Sequence, residues 1–182
     1  MTYEALFARR TLGVRPGLVA VRGVFEALGA PAGSIRALHI VGTNGKGSSV
    51  AMLEAIMLRQ GASVGTYTSP HVVDFNERIC IDGMPASDNE IVAAFERVES
   101  ARDGVPLTYF EYATLAALLI FHNSNVDVTI LEVGMGGRLD AVNAVDADVS
   151  MIVSVGLDHE EWLGNDRETI GFEKAGIMRR GR

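Results

Sequence analysis

A single lysine in a glycine-rich run, Gly42-Thr43-Asn44-Gly45-Lys46-Gly47-Ser48, lies between the apolar stretch 37–41 and a helix-like segment from Ser49 to Arg59. A strand delivers the chain and glycines let backbone N–H groups approach an anion. The lysine adds a point charge and the helix start adds its positive dipole end, so the run reads as a phosphate-binding loop. The G-x-x-x-x-G-K-[ST] template is met imperfectly: Ile40 stands where the first glycine belongs, Gly47 where the hydroxyl belongs, and Ser48 comes one residue late. An ordinary glycine turn is the alternative. The lysine weighs against it, because a cation at a helix N-terminus opposes the dipole unless an anion compensates.

Three further groups fall where apolar strands should end. Ser69 follows the run 64–68 and opens a polar excursion through Ile79; its hydroxyl could enter a Mg²⁺ shell, or simply start a turn before Pro70. Glu132 closes the strand-like run 126–131 and is followed by Gly134, Gly136 and Gly137. A carboxylate there is costly to bury unpaired, so a metal or an arginine partner is the expected remedy. His159 follows the run 149–155, and a histidine at the end of a parallel strand is a reasonable metal ligand.

The elements that must position these groups are legible as an α/β chain. Leu18, Val21, Val24, Phe25 and Leu28 have helical spacing and Gly29-Ala30-Pro31 ends that segment, so residues 1–35 read as helix and then loop. Residues 36–41 form a buried strand, in which His39 reads as a satisfied core histidine. Strand, helix and second strand make a unit of roughly 30 residues, the size of a right-handed parallel crossover. Residues 79–83 suggest one arm of a small hairpin. Ser87 with Glu90, and Thr108 with Glu111, are S/T-x-x-E capping patterns opening helices to about Arg102 and His122. A last helix is expected over 166–177. A parallel sheet would gather the glycine loop, Ser69, Glu132 and His159 along one edge, where open α/β sheets bind ligands.

At 182 residues the chain has the size of about one domain. A net charge of −7 argues against a nucleic-acid-binding face, yet leaves room for the local positive potential that a phosphate needs. The single Cys80 excludes an internal disulfide framework. Neither a signal-peptide pattern nor an apolar run approaching roughly 18 residues is evident, so no membrane association and a cytoplasmic location are expected.

Taken in order, six stretches resemble the folylpolyglutamate synthase and dihydrofolate synthase family of the Mur ligase superfamily. They are Gly-Thr-Asn-Gly-Lys-Gly-Ser (42–48), Thr-Ser-Pro-His (68–71) with Phe-Asn-Glu-Arg-Ile (75–79), Thr-Tyr-Phe-Glu (108–111), Leu-Glu-Val-Gly-Met-Gly-Gly-Arg-Leu-Asp-Ala-Val-Asn (131–143), Gly-Leu-Asp-His-Glu-Glu-Trp-Leu-Gly (156–164) and Glu-Lys-Ala-Gly-Ile (173–177). The late serine of the phosphate loop is a mark of this family. The resemblance implies a phosphate-loop, mostly parallel sheet with flanking helices, the central ATPase domain of a Mur ligase, and an ATP-dependent ligase. Its substrates would be ATP, L-glutamate and dihydropteroate or a folate, whose carboxylate is phosphorylated before the glutamate amine attacks.

Carried over by position, Gly42, Thr43, Asn44, Gly45, Lys46, Gly47 and Ser48 would bind ATP, and Ser69, Glu132 and His159 would bind Mg²⁺. Lys46, Lys174 and His159 would serve catalysis, with Lys174 carbamylated to help place a metal; a helix-surface lysine is the alternative. Thr108, Tyr109, Phe110, Glu111, Leu139, Asp140 and Ala141 would contact the pterin-bearing substrate, with Phe110 a stacking surface. Val142 and Met135 depart mildly from the family pattern. Family members are more than twice as long, so residues 1–182 are expected to form a partial N-terminal ATP-binding domain. A C-terminal ligase domain would be missing, the remainder of a longer chain would supply it, and little activity is expected from this chain alone. The alternatives are a non-catalytic nucleotide-binding or interaction module and another Mur-type amide ligase.

Overall fold

The computed structural model describes residues 18–30 and 35–181. The parts of the N-terminal expectation that fall on 1–17 and 31–34 lie outside the described residues. Six strands form one sheet in the order β4-β3-β2-β5-β1-β6: β1 (Ala37–Val41), β2 (Val64–Tyr67), β3 (Ile79–Ile81), β4 (Met84–Pro85), β5 (Val128–Glu132) and β6 (Val149–Ile152). β2, β5, β1 and β6 run parallel, while β3 and β4 form an antiparallel extension beside β2. The α/β reading therefore holds, and all four parallel strands deliver their carboxyl ends to the same edge.

The helices are α1 (Leu18–Ala27), α2 (Lys46–Arg59), α3 (Asp88–Ala101), α4 (Tyr109–Ser124), α5 (Glu160–Leu163) and α6 (Arg167–Ala175). α2 covers one face of the sheet, where Leu38, Ile40, Val64 and Ile130 meet Val50. On the other face α1, α3 and α4 bury the larger core, including Phe25, Tyr67, Phe95, Leu115 and Phe121. α4 is apolar on nearly all sides because it is enclosed, and its N-terminus is held by the expected capping box. Thr108 Oγ1 accepts from Glu111 N at 3.3 Å, and Thr108 N donates to Glu111 Oε2 at 2.7 Å. α3 opens on the same device at Ser87 and Glu90. Among the described residues no helix is long and apolar enough to cross a membrane.

Two expectations change. α2 begins at Lys46, three residues before the expected start, because Gly45 takes up a left-handed backbone (φ 82°) and caps the helix inside the loop itself. His39 is fully buried as expected, but neither ring nitrogen has a hydrogen-bond partner among the described residues.

Candidate functional site

The loop after β1 is latched to the segment after β6. Thr43 N donates to Ser154 O (3.1 Å), Asn44 N to Ser154 Oγ (2.9 Å), and Gly156 N to Thr43 Oγ1 (2.9 Å). A Cβ at Gly42 would collide with Val153 Cγ2, so glycine permits this close approach. No side chain caps the start of α2, which leaves its first N–H groups open to an anion. Lys46 Nζ donates to Gly42 O at 3.0 Å and lies 3.9 Å from Glu132 Oε1.

Glu132, at the end of β5, is 5% exposed and accepts from Ser69 N at 3.2 Å. Burial raises its pKa, opposed by the Ser69 hydrogen bond and by the charge of Lys46. The end of β2, the end of β5 and the phosphate loop thus meet at one carboxylate. Lys174, on α6, is 4% exposed and has no carboxylate ion partner among the described residues. Burial and then the charge of Lys46 lower its pKa, with Asp158 opposing. Lys46, Lys174, Asp158 and His159 line one small chamber with Gly42 and Gly134–Gly136. Lys46, facing this chamber at the uncapped start of α2, makes it an anion site.

His159 lies on that chamber in a left-handed conformation (φ 50°), its side chain half exposed and 3.8 Å from Asp158. No cluster of three or more His, Cys, Asp or Glu side chains forms a metal cage among the described residues. The available donors, one buried carboxylate, a serine hydroxyl and a histidine, suit a Mg²⁺ ion that keeps water and phosphate oxygens in most of its shell.

A second pocket of about 610 Å³ adjoins the chamber and shares Gly134, Met135 and Gly136 with it. Thr108, Phe110, Glu111, Leu139, Asp140 and Ala141 all line it. Tyr109 does not. Its ring turns into the core against Phe75, with centroids 6.2 Å apart, because the first turn of α4 points adjacent side chains in different directions. Phe110 packs so close to the glycine loop that a Cβ on Gly134 would be 2.7 Å from its Cζ. Asp140 is a scaffold as well as a wall: it accepts from Met135 N (3.0 Å) and Val142 N (2.9 Å), which sets the course of residues 134–142. Burial pushes its pKa up to about 6, against the pull of those hydrogen bonds. Glu111 is likewise raised by burial.

Arg78, Trp162, Glu173 and Ser69 complete the large pocket. Arg78 and Trp162 fell within motif stretches in the sequence, but nothing in their spacing showed that they face a cavity. α6 comes near enough to contribute because Gly137 has no side chain: a Cβ there would lie 2.8 Å from both Glu173 O and Lys174 O.

A glycine loop at a helix start, a half-buried and a buried lysine on one chamber and an apolar pocket at one end of a parallel sheet define a phosphate-loop nucleotide-binding domain with an adjoining apolar pocket. Residues 40–181 match the Mur ligase middle domain model, and the chain belongs to that family. It is 53% identical over 140 residues to the dihydrofolate synthase/folylpolyglutamate synthase of Escherichia coli (strain K12), covering 77% of this chain and 33% of that protein. It is 42% identical over 184 residues to the Bacillus subtilis (strain 168) protein of the same name, covering 97% and 43%. The solved E. coli FolC in complex with DHPP and ADP superposes with a TM-score of 0.89 at 45% identity, over 97% of this chain and 43% of that one. The Yersinia pestis bifunctional folylpolyglutamate synthase/dihydrofolate synthase complexed with AMPPNP and Mn ion superposes at 0.92 with 45% identity, over 98% and 43%. The chain thus spans a third to somewhat over two fifths of the length of these relatives.

Proposed function

We propose that this chain forms the ATP- and pterin-binding part of a ligase that adds L-glutamate to dihydropteroate or to a (poly)glutamyl folate through an acyl phosphate. The observation that carries this reading is that two chambers share one wall. A lysine-lined anion site and an apolar pocket of about 610 Å³ meet across Gly134–Gly136, so a carboxylate at the end of a pterin could reach a nucleotide phosphate. Relatives whose structures superpose on this chain have been solved with ADP and DHPP, and with Mn, AMPPNP and L-glutamate.

In this reading Gly42–Ser48 and the start of α2 cradle the ATP phosphates, and Lys46 neutralises their charge. Ser69, Glu132 and His159, with phosphate oxygens, hold Mg²⁺, which supplies charge neutralisation during phosphoryl transfer. His159 and Asp158 line the chamber. Phe110 offers its ring to the pterin, beside Asp140 and Glu111. Lys174, whose ammonium form is disfavoured by burial, is suited to react as the neutral amine with CO₂. The nitrogen–carbon bond forms, one proton leaves, and the resulting carbamate is an anion suited to the metal. A carbonyl resonance from ¹³C-bicarbonate, absent in Lys174→Ala, is the expected sign. The adenine and glutamate sites are proposed to draw on the rest of a longer, cytoplasmic enzyme.

The test is direct binding. A fluorescent ATP analogue with Mg²⁺ and pteroate should bind the chain together, and Lys46→Met should weaken the nucleotide about tenfold or more while leaving pteroate unchanged. Equal nucleotide affinity in the variant, or pteroate competing with the nucleotide for one site, would overturn the reading.

A further inference from the structure

The large pocket holds a cation that neither the phosphate loop nor the metal donors account for. Arg78 is 6% exposed and lies in its wall. Its guanidinium stands 5.6 Å from the centroids of both the Phe75 and Tyr109 rings, and its Nε donates to His71 Nδ1 at 2.8 Å. These contacts fix the stem and the plane of the group. They supply no negative charge: among the described residues Arg78 has no carboxylate ion pair and its terminal nitrogens donate to no protein acceptor. The pocket's own buried acids are engaged elsewhere, Glu111 at the cap of α4 and Asp140 on the backbone of 135 and 142.

A nearly buried guanidinium, held in orientation and lacking a protein anion, matches an external one in the planar, two-pronged manner that suits a carboxylate. Its place on the wall identifies which. Thr68 N donates to Arg78 O at 2.9 Å, so Arg78 runs beside Thr68 and Ser69, and Ser69 both lines the pocket and bonds to Glu132 in front of Lys46. The backbone that carries Arg78 therefore runs on the side of the pocket where Ser69 and Glu132 face the phosphate loop.

We infer that Arg78 is the carboxylate-reading residue of the acceptor pocket, steering the aryl carboxylate of a pteroate-like acid toward the phosphate loop. This rests on the pterin reading above, and it adds the residue that distinguishes an acid from its neutral analogues. The stacked and hydrogen-bonded stem preorganises the charge, so acid binding gains what an exposed arginine would lose to water and to side-chain freedom.

Pteroate and its carboxamide, titrated against the 182-residue chain and against Arg78→Met and Arg78→Lys, test it. The wild type should prefer the acid by about tenfold or more, a margin expected for one charge-assisted hydrogen-bonded pair. Arg78→Met should erase that preference by weakening pteroate alone, and Arg78→Lys should restore part of it. A merely structural arginine would instead weaken acid and amide equally, and that result, or an undiminished preference in Arg78→Met, overturns the inference. Should neither pterin ligand bind the wild type, the pterin reading falls. 4-Aminobenzoate against 4-aminobenzamide then decides Arg78 by itself: acid preference lost in Arg78→Met supports it, and equal binding of the two rejects it.

Discussion

His39 shows how far a single residue's environment can depart from its type. It stands in β1 between Leu38 and Ile40, which face α2, and on the opposite face it shares the core side with Ala37 and Val41. Burial, helped by the positive charge of Arg179 and opposed by Asp146 and Asp148, lowers its pKa from 6.5 to about 4. The folded chain therefore keeps the ring neutral where the unfolded chain takes up a proton. This stability is present above pH 6.5 and is lost as pH falls toward 4, by an amount of about 3 kcal/mol. His39→Leu removes both the proton linkage and two nitrogens that have no hydrogen-bond partner among the described residues. It should raise stability at pH 5 by about 1–3 kcal/mol and flatten the pH dependence between 4 and 6.5. Urea unfolding of both chains at pH 5 and pH 7 checks this; an equal loss at the two pH values would show that the ring's shape, and not its charge state, matters. The sequence identified His39 as a core residue because its neighbours are apolar. It could not reveal the missing partners, since those depend on which groups the distant segments 144–148 and 177–179 bring across.

At the scale of elements, local chemistry was legible wherever a short-range device fixes the backbone. Both capping boxes, the strand preceding the glycine loop, and Ser69 and Glu132 at the ends of β2 and β5 stand where their spacing places them, whereas His159 comes seven residues after β6 ends and caps α5. The start of α2 was misjudged because Gly45, Lys46 and Gly47 look like loop by propensity. One left-handed glycine is nevertheless enough to begin the helix, and this early start leaves the helix's first N–H groups uncapped within the loop itself. The direction of Tyr109 was hidden for a different reason: the motif marks a stretch, and the first turn of α4 directs Tyr109 away from the cavity that Thr108, Phe110 and Glu111 line. The cap of α4 links stability to the pocket, since Thr108 fixes the turn that carries Phe110. Thr108→Ala should cost about 1 kcal/mol. It should also weaken pteroate more than it weakens a fluorescent ATP analogue, because the phosphate loop is anchored independently through Thr43, Ser154 and Gly156. Thermal melts and the two titrations read this out; unchanged pteroate affinity would separate the cap from the site.

The whole molecule is unevenly covered. β6 pairs only with β1 among the described residues, and its Val149 and Met151 are 52% and 38% exposed. Their register partners Leu38 and Ile40 lie in the core beneath α2, so both side chains point to the α2 side of the sheet, where Met52 and Ile56 of α2 are also exposed. An edge strand with free backbone groups and apolar side chains is a template for pairing with another chain. The 182-residue chain should therefore associate increasingly with concentration, and Val149→Lys combined with Met151→Lys should suppress this. The variant should keep its affinity for the ATP analogue, because the phosphate loop is tied to β6 through Ser154 and Gly156, beyond the substituted positions. Sedimentation velocity over a concentration series, with nucleotide titration of the same samples, measures both. A wild-type chain that stays monomeric throughout would mean that the exposed edge is too short to act as a template. Association that persists in the variant would move the contact to another surface.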